Sequence, residues 1–145
     1  YISENGGAQK IIAKIERSIA VENVDEIINA SDAVMVARGD LGNEVPLEQI
    51  PFIEKSIIDK CNLAGKTVIT ATQMMLSMVD HSSPTRAEVT DVSYAVMEGS
   101  DVVMLSDETA NGKFPTEAIG AMEKVVAESE KHFENEPSLH PLITI

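Results

Sequence analysis

Four short runs of apolar, largely β-branched residues recur along the chain, at 11–16, 34–37, 67–71 and 102–105, and each stops in a polar cluster. Runs of this length and composition suit strands buried on both faces, as in parallel sheets. Their first apolar residues fall at 11, 34, 68 and 102, giving intervals of 23, 34 and 34 residues. Such intervals match successive βα units. No residue-level repeat accompanies them, so the periodicity is architectural.

Helical patterns fill the gaps. Val21, Val24, Ile27 and Ile28 line one face, as do Ile50, Ile53, Ile57 and Cys61, with Gly65 as a stop. Behind Pro84, Thr85 and Glu88 form a T-x-x-E capping box that opens a helix through Val89, Val92 and Val96, closed by Gly99. Ile119, Met122, Val126 and Phe133 predict a last helix from near Pro115. The expected fold is α/β, with four parallel βα units over residues 1–133. Residues 134–145 lose the pattern and read as a linker or the start of a further element.

Charge narrows the function. With 24 Asp+Glu against 11 Lys+Arg the chain carries −13, which argues against a nucleic-acid surface and against docking on anionic lipid. The single Cys61 makes no intramolecular disulfide, and no apolar run reaches the roughly 18 residues of a membrane span. The opening Tyr1-Ile2-Ser3-Glu4 lacks the pattern of a signal peptide, and the missing Met hints at a fragment. A soluble, cytoplasmic domain is expected.

In parallel α/β folds the carboxyl ends of strands share the rim where ligands bind. Four polar clusters are expected there: Lys14 with Glu16, Arg38-Gly39-Asp40, Thr70 with Thr72 and Gln73, and Ser106-Asp107-Glu108-Thr109. Lys14 and Glu16, two apart on a strand, share a face about 6 to 7 Å apart. Either they are a neutralising ion pair, or they are a metal carboxylate and a lysine aimed at an anion. Asp40 lies in a Gly-Asp-Leu-Gly turn that would let a ligand approach free backbone N–H groups, unless it is a plain turn. Glu16 and Asp40 together suit Mg²⁺, a hard ion content with one or two protein carboxylates. Thr70 and Thr72 are expected on one face of the third strand, and Ile12, Val36, Val68 and Met104 on the inward face of the sheet. Ser106 and Glu108 are weaker candidates. The Met74, Met75 and Met78 cluster reads as core packing, and His81, His132 and His140 receive no chemical role.

At these residues the sequence resembles pyruvate kinase. The matching stretches are Lys10-Ile11-Ile12-Ala13-Lys14-Ile15-Glu16, Met35-Val36-Ala37-Arg38-Gly39-Asp40-Leu41-Gly42, Ala71-Thr72-Gln73-Met74, Pro84-Thr85-Arg86-Ala87-Glu88 and Met104-Leu105-Ser106-Asp107-Glu108-Thr109. The resemblance implies the fifth to eighth units of a (β/α)₈ barrel, and therefore only part of an enzyme. It implies that Lys14 contacts the phosphoryl group passing from phosphoenolpyruvate to ADP, and that Glu16 and Asp40 hold Mg²⁺, with Mn²⁺ as a substitute. Gly39, Asp40 and Thr72 would receive the substrate carboxylate. K⁺ ligands and a phosphate-binding arginine would lie outside this segment. Arg86 and its helix resemble the segment that packs on a neighbouring subunit in the family's tetramer. Asp107 stands where the family usually has a small or neutral residue, and Asn43 replaces an apolar one. The alternatives are a Mg²⁺-dependent lyase or aldolase acting on pyruvate-like acids, and a truncated, non-catalytic chain.

Overall fold

A computed structural model describes residues 2–135 of the chain. Its strands are β1 (Ile12–Ile15), β2 (Ala33–Ala37), β3 (Thr67–Ala71) and β4 (Val102–Met104). They form one parallel sheet in the order β1-β2-β3-β4. Eight strands close the barrel of this architecture, so four leave β1 and β4 as edges.

The helices are α1 (Ser18–Glu22), α2 (Val24–Ala30), α3 (Arg38–Leu41), α4 (Ile50–Leu63), α5 (Arg86–Met97), α6 (Asp107–Ala110) and α7 (Pro115–Asn135). The capping box at α5 is complete. Glu88 N–H donates to Thr85 Oγ1 at 3.2 Å, and Thr85 N–H donates to Glu88 Oε2 at 2.7 Å. Helix α7 runs to Asn135, two residues into the expected linker, and 136–145 (with His140) lie outside the described residues.

Register decides which side chains face the helices. Directly paired residues share a face, so Ile15, Val36 and Thr70 point one way, together with Ala13, Val34 and Val68. That face is the core. Ile15, Val34, Val36 and Val68 are fully buried with Ile28 of α2 and with Ile57, Ile58 and Cys61 of α4. Each such side chain contributes about 1.5–3 kcal/mol relative to exposure. The expectation that Val36 and Val68 face inward is therefore corrected: both pack beneath the helices. Only Ile12 and Met104 of that set lie on the opposite face, with Lys14, Met35 and Ile69. A second cluster joins Met74, Met75 and Met78 to Val92 and Ala95 of α5 and to Ala118 and Met122 of α7. The methionines are core, as their pattern suggested.

Candidate active site

Because the strands are parallel and ordered as in the sequence, their carboxyl ends bring four polar clusters to one rim. Lys14 lies in β1 and Glu16 one residue beyond it, while Arg38 to Asp40 follow β2. Thr72 and Gln73 follow β3, and Ser106 to Glu108 follow β4.

At β1, Lys14 Nζ stands 2.6 Å from Glu16 Oε2. This contact, and the charge behind it, raise the Lys14 ammonium above its ordinary pKa, and the charge of Asp40 adds to the effect. Asp40 on α3 is thus within the electrostatic reach of Lys14 on β1. Glu16 Oε2 is a buried oxygen whose charge is met by the Lys14 ammonium. Carboxylates at the ends of two adjacent strands, Glu16 after β1 and Asp40 after β2, are the donor type a hard cation takes. Among the described residues no three His, Cys, Asp or Glu side chains converge as a metal cage. Glu16 and Asp40 suit an ion that fills its remaining positions with water and substrate oxygens.

Beyond β2 the expected turn is a four-residue helix, α3. Gly39 N–H is not free: it donates to Thr72 Oγ1 at 2.6 Å. Glycine suits the site because a Cβ there would sit 3.3 Å from that hydroxyl oxygen, a tight contact against the end of the neighbouring strand. Asn43, the departure noted above, donates from Nδ2 to Gly39 O at 3.3 Å and so braces the same segment.

Thr70 and Thr72 do not share a face. Thr70 is fully buried on the helix side with its hydroxyl 2.7 Å from that of Ser100. Strand β3 ends at Ala71, and Thr72 and Gln73 turn through positive φ values of 71° and 57°. Two successive non-glycine residues in the left-handed region are strained, and such strain persists only where neighbours hold it. The neighbours bonded to Thr72 are Arg38 and Gly39, while Glu108 fastens the chain just beyond the turn. Arg38 Nε and an Nη donate to Thr72 O at 3.3 and 3.1 Å. Glu108, 1% exposed, accepts from Met75 N–H at 3.0 Å and Ser106 N–H at 2.8 Å.

Gly39, Asp40, Thr72, Gln73, Leu76, Ser106, Asp107 and Glu108 enclose a pocket of about 230 Å³. The structure therefore gathers Gly39, Asp40 and Thr72, and sets Lys14 and Glu16 on the adjoining strand end. Asp107 does bring a carboxylate to the wall, where Asn111 Nδ2 donates to it at 2.9 Å. Arg38 carried no role in the sequence reading. The signal was a charged residue directly after an apolar run, a position that buries it beside the strand end.

Residues 1–119 match the family described as pyruvate kinase, barrel domain. The chain belongs to the pyruvate kinase family. A pyruvate kinase of Thermococcus litoralis is 54% identical over 125 residues, covering 86% of this chain and 26% of the relative. One from Dictyostelium discoideum is 54% identical over 129 residues, covering 89% of the chain and 25% of the relative. The chain also superposes on a solved pyruvate kinase of Cryptosporidium parvum with a TM-score of 0.88 at 48% identity, covering 99% of this chain and 32% of that one. This segment spans about a quarter of the curated pyruvate kinases it matches. None of these relatives is named a lyase or aldolase.

Proposed function

We propose that this segment forms the phosphoryl- and metal-binding part of a pyruvate kinase, which transfers a phosphoryl group from phosphoenolpyruvate to ADP. The observation that carries the reading is the grouping of Lys14, Glu16 and Asp40 on adjacent strand ends, next to the bonded pair Gly39 and Thr72. Phosphoryl transfer is mostly positioning plus electrostatic stabilisation, and these residues supply both. The Lys14 ammonium, held charged by Glu16, binds the moving phosphoryl group and stabilises the charge that spreads over its oxygens. Gly39 and Asp40 N–H groups and the Thr72 hydroxyl orient the substrate carboxylate, the Gly39 N–H giving up its bond to Thr72 Oγ1, and that hydroxyl its bond to Ala71 O, as substrate enters. Glu16 and Asp40 would hold Mg²⁺, or Mn²⁺ in its place, which when bound supplies Lewis-acid neutralisation of substrate oxygens. K⁺ belongs to the same reaction through ligands elsewhere in the enzyme.

The whole enzyme is proposed to be a cytoplasmic homotetramer acting on small molecules, without nucleic-acid or membrane partners. Among the described residues no helix is long and apolar enough to cross a membrane. Exposed Arg86 and Tyr94 on α5 leave that helix open to a neighbouring subunit.

Grafting the matched 125 residues into the Thermococcus litoralis relative tests the reading. The graft is expected to release pyruvate from phosphoenolpyruvate only when ADP and Mg²⁺ are present. Pyruvate formation independent of ADP would favour the lyase alternative, and a folded but inert graft would favour a non-catalytic chain.

A further inference from the structure

Arg38 is 9% exposed, and its guanidinium reaches four neighbours at once. It donates to both Asp91 oxygens at 2.8 and 2.6 Å, to Glu54 Oε2 at 3.3 Å, to Met74 Sδ at 2.8 Å and to Thr72 O at 3.1 and 3.3 Å. Asp91 sits on α5 and Glu54 on α4, so the side chain is fastened to two helices of the outer layer. Its hydrogen bonds to the rim go to the carbonyl of Thr72. The next residue, Gly39, donates its N–H to the hydroxyl of that same Thr72. Two consecutive residues of α3 therefore grip both polar ends of one threonine, and that threonine and Gln73 adopt positive φ.

We infer that Arg38 is a positioning residue for substrate, holding Thr72 and Gln73 in the left-handed turn that places the Thr72 hydroxyl and Gly39 amide. The inference rests on the proposed role of Thr72 and Gly39 at the substrate carboxylate. Arg38 does not itself touch substrate. The planar fork suits the task, because one side chain must donate in several fixed directions, which a lysine ammonium cannot reproduce. Its two carboxylates offset the cost of burying the charge, so the network holds the turn without leaving an unpaired ion inside. When the grip is lost, Thr72 relaxes towards negative φ, and both its hydroxyl and the Gly39 amide leave their places.

The test uses Arg38→Lys in the full-length graft, with Asp91→Asn as a milder variant that keeps the arginine but removes its best partner. Phosphoenolpyruvate KM is expected to rise about tenfold or more in Arg38→Lys while kcat changes less than about threefold, since orientation of bound substrate is what fails. Hydrogen exchange of the Gly39 amide should quicken about tenfold as its bond to Thr72 loosens. Adding Gln73→Gly, which takes a positive φ without strain, should restore much of the KM. Unchanged KM in both variants, or a KM left unmoved by Gln73→Gly, would overturn the inference. So would unchanged Gly39 exchange, even in a graft that lacks activity. A graft inactive with the native segment, yet showing faster Gly39 exchange in Arg38→Lys, would refute the proposed function and leave the grip on Thr72 standing.

Discussion

Gly39 N–H donates to Thr72 Oγ1 across 2.6 Å, joining residues that follow neighbouring parallel strands. The approach is tight for a side chain at position 39, where a Cβ would lie 3.3 Å from the hydroxyl oxygen and 3.5 Å from Thr72 Cβ, so that Thr72 must give by a few tenths of an ångström.

Gly39→Ala is therefore expected to push the two strand ends apart. Overpacking of this size costs about 1 kcal/mol in stability. Phosphoenolpyruvate KM in the graft should rise about tenfold, roughly the loss of one hydrogen-bonded contact. Thermal unfolding and steady-state kinetics check the two effects, and an unchanged KM would separate this pair from substrate binding.

Glu16→Gln and Asp40→Asn each remove a formal charge from a site with only two carboxylates. The Mg²⁺ concentration for half-maximal activity should rise about tenfold or more in either variant, because the remaining ligands are water and substrate. A magnesium titration of the graft reads this directly. An unchanged midpoint in both would move the metal elsewhere.

Glu98 caps the C-terminus of α5 and is 7% exposed. Burial, with the charges of Glu54, Asp59 and Asp91, pushes its pKa from 4.5 up to about 7. The negative end of the helix acts in the same direction. A carboxyl group with a raised folded pKa keeps its proton longer in the folded state. The contribution of Glu98 to stability is thus greatest below about 4.5, falls as pH rises towards about 7, and stays reduced above it. Glu98→Gln should stabilise the protein by about 1–3 kcal/mol at pH 8 and leave it nearly unchanged at pH 4. Denaturant unfolding at the two pH values decides, and an equal effect at both would rule out titration of Glu98 as the cause.

The fold was legible where periodicity was strong and lost where it was short. All four strands were found from β-branched runs, and α5 from its capping box, because these signals are local. Helices α3 and α6, four residues each, are too brief to show a repeat. The facing of Val36 and Val68 was misjudged because strands apolar on both sides carry no alternation. Thr70 and Thr72 were paired by spacing, yet the chain leaves the strand between them. Arg38 was missed because its partners Glu54, Thr72 and Asp91 lie 16, 34 and 53 positions away. Lys14, Glu16, Asp40, Gly39 and Thr72 were nameable because each lies in or just after an apolar run, and because those stretches resemble pyruvate kinase. The burial of Glu16 Oε2 against the Lys14 ammonium was visible only in three dimensions.

The 145-residue chain alone is expected to associate and to lack turnover. Strands β1 and β4 are edges, and Ile12 and Val102 are 50% and 43% exposed. Unpaired edges recruit other strands, and half a barrel leaves one sheet face without its apolar cover. Light scattering should report dimers or larger species. A stable monomer would show that the open sheet tolerates water.

The measurement that tests the central claim most directly is single-turnover phosphoryl transfer from phosphoenolpyruvate to ADP by the graft, with Lys14 intact and with Lys14→Met. The ammonium that Glu16 holds 2.6 Å away is assigned to the transferring group. Removing a group that stabilises transition-state charge costs about 10²–10³ in rate. The account predicts a loss of that size with phosphoenolpyruvate affinity within about threefold of the unsubstituted graft. Transfer within a few-fold of the unsubstituted rate would contradict it.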